Sequence, residues 1–252
     1  GAASGLNVAL KTILNPGEEV VIFAPYFLEY NWYVNNYDGV VVQASTDRKT
    51  FQPDLAAFES CITEKTRVVL INSPHNPTGV VYSEATIKGI ADILDKKQKE
   101  LGRTIFIIAD EPYRELAYDG IQVPYVTKYY DNTIVAYSYS KSLSLPGERI
   151  GYLVIPDELE ESELVFDTAS NANRIIGCVN APSLQQKVIA KCVDAKVDLD
   201  YYDKNRKALY EGLKECGFEC IMPQGAFYLF VKSPVENEAE FCQAAKKYNI
   251  LM

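Results

Sequence analysis

Histidine is almost absent from this sequence of 252 residues, since only His75 occurs. One imidazole cannot build a metal site of several histidines, and it makes a Ser-His-Asp triad an unfavourable interpretation, so no metal site is predicted. The cysteines form no Cys-x-x-Cys pair. We interpret them as buried thiols of a protein from a reducing compartment, which predicts a cytoplasmic location. They are Cys61, Cys178, Cys192, Cys216, Cys220 and Cys242.

Positive charge is also in short supply, because 25 Lys and Arg residues face 34 Asp and Glu residues and give a net charge of −9. An acidic chain without a basic cluster is a poor candidate for binding nucleic acid or an anionic membrane. No apolar run reaches membrane-spanning length, and the N-terminus has no basic-then-apolar signal. The composition, with 48% hydrophobic and 23% charged residues, is typical of a globular protein.

Short apolar runs alternate with segments of helical periodicity through the first 155 residues. This alternation predicts an α/β fold with a mostly parallel central sheet and helices on both faces. Ligands of such sheets bind at the carboxyl ends of the strands. The predicted strands are 20–23, 40–42, 67–71, 104–109, 133–137 and 149–155, and the predicted helices are 6–14, 53–61 and 83–101.

The pattern changes after Pro156. Helices are predicted at 158–174, 182–193, 199–216 and 237–248, and strands at 218–222 and 226–231. We therefore predict a large domain over 1–197, and over 198–252 a connecting helix and part of a small α+β domain. Both chain ends fall inside predicted elements, so we expect this chain to be part of a longer protein.

A lysine with two nearby hydroxyls follows the strand at 133–137, in the string Ser138-Tyr139-Ser140-Lys141. Burial beside a strand lowers a lysine pKa and frees the amine to attack a carbonyl. Ser138, Ser140 and Arg149 suit a phosphate dianion. A solvated surface loop is the simpler alternative. A serine acyl-transfer enzyme is disfavoured, since its Ser-Asp-Asn and Lys-Thr-Gly strings do not occur.

Two further clusters follow strands. Asp110 ends an apolar strand, where a carboxylate is costly to bury without a cationic partner such as a protonated pyridine nitrogen. An N-cap aspartate is the alternative. The turn at 72–79 contains two prolines and a glycine and could hold Asn76 as a donor toward a phenolate oxygen. A purely structural turn is its alternative.

The start of the first helix, Gly1-Ala2-Ala3-Ser4, offers free backbone N–H groups to an anion. Phe27, which follows a strand and Pro25, could cover one face of a planar ring, although an aromatic there more often packs in the core.

In this order and spacing the clusters resemble the fold-type I pyridoxal-phosphate enzymes, specifically the aspartate aminotransferase-like class I/II aminotransferases. The resemblance covers nearly all of the sequence. It implies that Lys141 forms a Schiff base with pyridoxal 5′-phosphate and shuttles a proton. It implies that Asp110 pairs with the pyridine nitrogen, and that Tyr113 and Asn76 hydrogen-bond the ring hydroxyl oxygen.

The resemblance also implies that Phe27 stacks on the ring, with Tyr26 as the alternative if the alignment slips by one. His75 matches no role in contact with the cofactor. Arg174 could reach a substrate or the other subunit, although a surface arginine is the simpler interpretation. The implied phosphate ligands are Ser138, Ser140, Arg149 and the backbone amides of Ala2 and Ala3.

The chain departs from the family pattern in two places. The family's segment before the Gly1 motif is absent, and no arginine follows Arg206 to bind a substrate α-carboxylate. We therefore expect this polypeptide to bind the cofactor but to be impaired as a transaminase. The family's site is completed by two subunits, so a homodimer is expected.

The resemblance implies transfer of an amino group from an L-amino acid to a 2-oxo acid. A carbon–sulfur β-lyase or a cyclase of the same fold would share Lys141, Asp110 and Tyr113, so these alternatives stay open. A non-catalytic pyridoxal-phosphate-binding regulatory domain is a third possibility, but the chain has no DNA-binding module or basic face. A nicotinamide-dependent dehydrogenase is disfavoured because no G-x-G-x-x-G follows the first strand.

Overall fold

The computed structural model describes residues 1–252 and has one six-stranded sheet at its centre. Its strands are β1 (Glu19–Phe23), β2 (Val40–Ala44), β3 (Thr66–Asn72), β4 (Phe106–Asp110), β5 (Thr133–Ser138) and β6 (Gly151–Val154). The helices are α1 (Ala2–Ile13), α2 (Glu29–Asn35), α3 (Leu55–Cys61), α4 (Glu84–Leu101), α5 (Tyr139–Ser142), α6 (Ser162–Ile175), α7 (Ser183–Cys192), α8 (Leu199–Glu215) and α9 (Glu238–Lys246).

The sheet has the strand order β2-β1-β3-β4-β5-β6. The first five strands run parallel, and β6 alone is antiparallel, with Ser138 opposite Gly151. The predicted mostly parallel sheet is confirmed. Parallel register places Asn72 beside Asp110 at the carboxyl ends of β3 and β4. The loops that follow β3, β4 and β5 therefore meet at one edge of the sheet.

The core has two apolar layers, one on each face of the sheet. Along β1, Val21 and Phe23 pack on one side with α3 and α4, while Val20 and Ile22 pack on the other side with α1. This division follows from the two-residue period of a strand. The predicted helices on both faces are confirmed.

The helix predicted at 83–101 is observed as Glu84–Leu101, with Ser83 and Gly102 at its ends. The Ser83 hydroxyl accepts a hydrogen bond from the Thr86 N–H, and Gly102 adopts a left-handed φ of 62°. These are the usual start and stop signals of a helix. The helical run at 6–14 belongs to α1, which begins at Ala2, within the predicted helix start Gly1-Ala2-Ala3-Ser4.

The strands predicted at 218–222 and 226–231 are wrong. Only one isolated bridge, Cys220 to Val231, joins these segments. The reason is that nearby backbone groups bind the sheet domain instead: the Gly225 N–H donates to the Gly79 carbonyl, and the Ala226 N–H donates to the Leu116 carbonyl. The division of the chain at residues 197 and 198 stays a prediction.

The six cysteines are free, and none is buried, so the expectation of buried thiols is wrong. Cys178 and Cys216 are exposed. Most of the six lie after Pro156, where the helices pack few side chains into a core. Separately, none of the helices combines the length and apolar character needed to cross a bilayer.

Gly151 is a position where the pairing of β5 and β6 tolerates no side chain. A Cβ there would lie 2.2 Å from the Tyr137 carbonyl oxygen. We expect Gly151→Ala to separate the two strands and lower the free energy of unfolding by about 1–3 kcal/mol, measured by urea denaturation. Gly147→Ala is the control, since its Cβ would meet nothing within 4 Å. Equal stability of the two variants would contradict this expectation.

Candidate active site

A cleft of about 270 Å³ lies at the carboxyl ends of β3, β4 and β5. The structure brings every residue predicted for the site to this cleft: Ala2, Ala3, Phe27, Asn76, Asp110, Tyr113, Ser138, Ser140, Lys141 and Arg149. Tyr26 does not line the cleft, and its hydroxyl bonds to Asn31 and Gln43 instead. The geometry therefore favours Phe27 over Tyr26 as the ring-covering aromatic.

Asp110 stands at one end of the cleft with one satisfied and one unsatisfied oxygen. Its Oδ2 accepts a hydrogen bond of 2.7 Å from the Tyr30 hydroxyl. Its Oδ1 is buried and has no hydrogen-bond partner. Burial raises the pKa of Asp110 to about 7, the Tyr30 hydrogen bond opposes this, and the nearby Glu111 adds to it. A cationic N–H donor in the cleft would satisfy the free oxygen and hold the carboxylate ionised.

Lys141 sits on α5, a short helix that begins directly after β5. Ser138 caps this helix, because its Oγ accepts a hydrogen bond of 3.2 Å from the Ser140 N–H. Burial, and then the charge of Arg149, lower the pKa of Lys141. The Nζ lies 5.0 Å from the centroid of the Phe227 ring. The amine is thus less strongly protonated than an exposed lysine, as a nucleophile requires.

The far end of the cleft gathers groups that suit an anion. The buried hydroxyls of Ser138 and Ser140 lie 2.8 Å apart. Arg149 adopts a left-handed φ of 52°, which is uncommon outside glycine, and its guanidinium donates to the Pro146 carbonyl at 2.7 Å. The first turn of α1, at Ala2, lines the same end and presents free N–H groups. Hydroxyls, a guanidinium and a helix start together form a phosphate-sized anion site.

Asn76 and Tyr113 also line the cleft. The Asn76 N–H donates to the Asn72 side chain at 2.7 Å, and Asn72 donates to the Asp110 carbonyl at 2.8 Å. This chain ties the turn at 72–79 to β4. The Tyr113 hydroxyl lies 2.7 Å from the Tyr228 hydroxyl. Burial raises the pKa of Tyr113, so its hydroxyl keeps its proton and can act as a donor.

The sequence profile described as "Aminotransferase class I and II" matches residues 1–252. The chain belongs to this aminotransferase family. It is similar to the aspartate aminotransferase of Thermotoga maritima, with 32% identity over 96% of this chain and 62% of that protein. It is also similar to a probable N-acetyl-LL-diaminopimelate aminotransferase of Bacillus subtilis, with 33% identity over 91% of this chain and 56% of that protein.

Solved structures of aminotransferases share the fold. A crystal structure of an amino transferase from Eubacterium rectale superposes with a TM-score of 0.97 at 51% identity, over 100% of this chain and 63% of that one. The Thermotoga maritima aspartate aminotransferase superposes with a TM-score of 0.85 at 30% identity, over 99% and 64%. The chain spans about three fifths of the length of these aminotransferases.

Members of the aminotransferase family use pyridoxal phosphate. The cleft fits that group at both ends. The buried, unpartnered Oδ1 of Asp110 needs an N–H donor, which a protonated pyridine ring supplies. The hydroxyls of Ser138 and Ser140 at the other end suit its phosphate.

Four polar residues that line the cleft were not predicted as site residues from the sequence: Tyr30, Tyr33, Asn72 and Tyr228. Asn72 falls inside the recognised turn and could have been found there. Tyr30 belongs to α2, which was not predicted, and is 80 residues from its partner Asp110. No local pattern marks such a distant contact.

Neither His75 nor Arg174 lines the cleft. The His75 ring is buried, bonds to Thr78 at 2.7 Å and stacks on Tyr82. Burial lowers the pKa of His75 to about 3, so the ring stays neutral. Arg174 is exposed.

A larger groove of about 480 Å³ lies between α1, β6 and α6 and shares Arg149 with the cleft. Its other polar lining consists of side chains such as Ser170, Asn173 and Cys178. It has the larger volume, but neither a lysine nor a carboxylate side chain lines it. The smaller cleft is therefore the better candidate for the chemistry of an aminotransferase.

Proposed function

We propose that this cleft binds pyridoxal phosphate and serves an enzyme that moves an amino group from an L-amino acid to a 2-oxo acid. The observation that carries the proposal is the shared cleft, which is lined both by the half-buried Lys141 and by Asp110 with its buried, unpartnered Oδ1. Family membership over the whole chain supports it.

When bound, the cofactor supplies an aldehyde that attaches to the Lys141 amine and a ring that takes up electrons from the substrate carbon. Asp110 would keep a proton on the ring nitrogen, because a buried carboxylate next to a cation is stable only while the cation keeps its charge. Once the substrate amino group has displaced it from the cofactor's former aldehyde carbon, Lys141 Nζ would be a free amine that accepts the proton from the substrate Cα and delivers it to that former aldehyde carbon. Burial lowers the pKa of Lys141, which favours the unprotonated amine that this exchange requires.

The other residues of the cleft would hold the cofactor in place. Phe27 would cover one face of the ring, while Tyr113 and Asn76 would donate to its hydroxyl oxygen. Ser138, Ser140, Arg149 and the N–H groups of Ala2 and Ala3 would bind the phosphate, which fixes the ring relative to Lys141. Fixing both ends leaves the reacting carbon little freedom, as proximity catalysis requires.

We also propose that two copies of the chain associate and that the protein works in the cytoplasm. The large apolar side chains of Leu164, Phe166 and Ile175 on α6 are exposed, which supports association. Six free thiols support a reducing compartment.

A panel of L-amino acids, incubated with the protein, pyridoxal phosphate and 2-oxoglutarate, tests the reaction type. We expect exchange of amino and oxo groups, detected as new amino acids by mass spectrometry. Pyruvate released from cysteine-type substrates without such exchange would instead indicate a β-lyase. Binding of the cofactor with neither reaction is the result expected of a regulatory domain or of a transaminase without an arginine for the substrate carboxylate, and failure to bind it would overturn the proposal entirely.

A further inference from the structure

Tyr228 is the one residue after Arg149 in the chain that lines the cleft. Its hydroxyl lies 2.7 Å from the Tyr113 hydroxyl, and the two rings meet edge to face at 5.6 Å. We infer that Tyr228 is a positioning residue, which orients and polarises the Tyr113 hydroxyl toward the cofactor's ring oxygen. This inference rests on the proposed function.

The segment at 223–228 is fixed against the turn that carries Asn76. The backbone N–H groups of Gln224 and Gly225 both donate to the Gly79 carbonyl, at 2.7 and 2.8 Å. The Gln224 side chain accepts from the Val81 N–H at 2.9 Å. These hydrogen bonds fix the segment that carries Tyr228 to the turn that carries Asn76.

Two further contacts fix the segment at 223–228. Arg206 donates to the Pro223 carbonyl at 2.6 Å and forms an ion pair of 2.8 Å with Asp119. Gly79 has a φ of 71°, and a Cβ there would lie 2.8 Å from the Tyr228 carbonyl oxygen. The backbone of Tyr228 is thus packed too closely to shift without disturbing the turn.

The role of Tyr228 follows from the number of hydrogen atoms that the two hydroxyls can donate. A phenol has one hydrogen, so a Tyr113 hydroxyl that donates to the ring oxygen can only accept from Tyr228. Burial raises the pKa of both hydroxyls, so each keeps its proton. Hydrogen bonds in such a chain polarise one another, by about 10–30% per bond. Tyr228 would therefore strengthen the donation from Tyr113 without touching the cofactor.

The test is the pH midpoint of the visible absorbance of bound pyridoxal phosphate in Tyr228→Phe. Weaker donation leaves more negative charge on the ring oxygen, which then retains the proton that it shares with the neighbouring nitrogen. We expect the midpoint to rise by about 0.1–0.7 pH unit, and by more in Tyr113→Phe. In the double variant, loss of Tyr228 should add nothing, because its effect passes through Tyr113.

Tyr202→Phe is the matched control, because Tyr202 stacks on Phe227 but does not line the cleft. Its midpoint should equal that of the unsubstituted protein, and the melting temperatures of all variants check their folding. An unshifted midpoint in Tyr228→Phe overturns the inference and leaves the proposed function intact. The same follows if Tyr228→Phe shifts the midpoint equally in the unsubstituted protein and in Tyr113→Phe. If the unsubstituted protein forms no visible band, the proposed function fails, and the inference fails with it.

Discussion

Replacing Lys141 by alanine is expected to abolish covalent attachment of pyridoxal phosphate completely. The reason is that Lys141 is the only amine-bearing side chain that lines the cleft. An amine is needed to condense with the aldehyde, and alanine offers none. Borohydride reduction followed by peptide mass spectrometry should find the cofactor on Lys141 in the unsubstituted protein and nowhere in the variant. Amino-group transfer should fall by at least about 10²–10⁴-fold, the usual contribution of a positioned proton-transfer group.

Lys99→Ala is the control for this experiment, since Lys99 is exposed on the outer side of α4. It should keep both the visible band and the label on Lys141. A Lys141→Ala protein that still showed a reducible band, with the label on another lysine, would refute the assignment of the nucleophile.

Replacing Asp110 by asparagine should raise the stability of the cofactor-free protein at pH 8. Burial raises the pKa of Asp110 from 3.8 to about 7. The folded state therefore holds the proton more tightly than the unfolded state. The resulting cost to stability is absent below about pH 4, grows between pH 4 and 7, and is constant above. Asparagine keeps an acceptor for Tyr30 and has no charge to bury. The gain should be on the order of a few kcal/mol at pH 8 and vanish near pH 4.

The same substitution should weaken cofactor binding, because the charge-assisted hydrogen bond to the ring nitrogen is lost. Such bonds contribute about 1.5–3 kcal/mol, which corresponds to roughly 10- to 150-fold in the dissociation constant. Titration of the protein with pyridoxal phosphate, followed by tyrosine fluorescence, measures this constant. Asp95→Asn, at an exposed position of α4, is the control and should change neither property. A variant that is less stable and binds as tightly would contradict both expectations.

The sequence was most informative where strands end. The sheet follows from continuous apolar runs such as the one before Asp110, and parallel strands of one sheet must deliver their following loops to one edge. For that reason the sequence alone predicts that the motifs around Asn76, Asp110 and Lys141 lie together.

Contacts between distant segments could not be predicted in this way. Tyr228 and Tyr113 are 115 residues apart, and the alternation around Tyr228 is equally typical of a strand. The backbone N–H groups of the preceding residues Gln224 and Gly225 instead donate to the Gly79 carbonyl, a tertiary preference that local periodicity does not encode. Tyr30 similarly takes its role from a distant neighbour, because its hydroxyl donates to Asp110, 80 residues away in the sequence.

The hydrogen bonds between the segment at 223–228 and the turn around Gly79 also restrict how α8 and α9 can rotate relative to the sheet. The segment lies between α8 and α9, and its backbone is fastened to the sheet domain. Any rotation of α8 and α9 toward a substrate must therefore use this fixed segment as its hinge. The hydroxyls of Tyr113 and Tyr228 would keep their positions during such a rotation, while α8 and α9 move relative to the sheet.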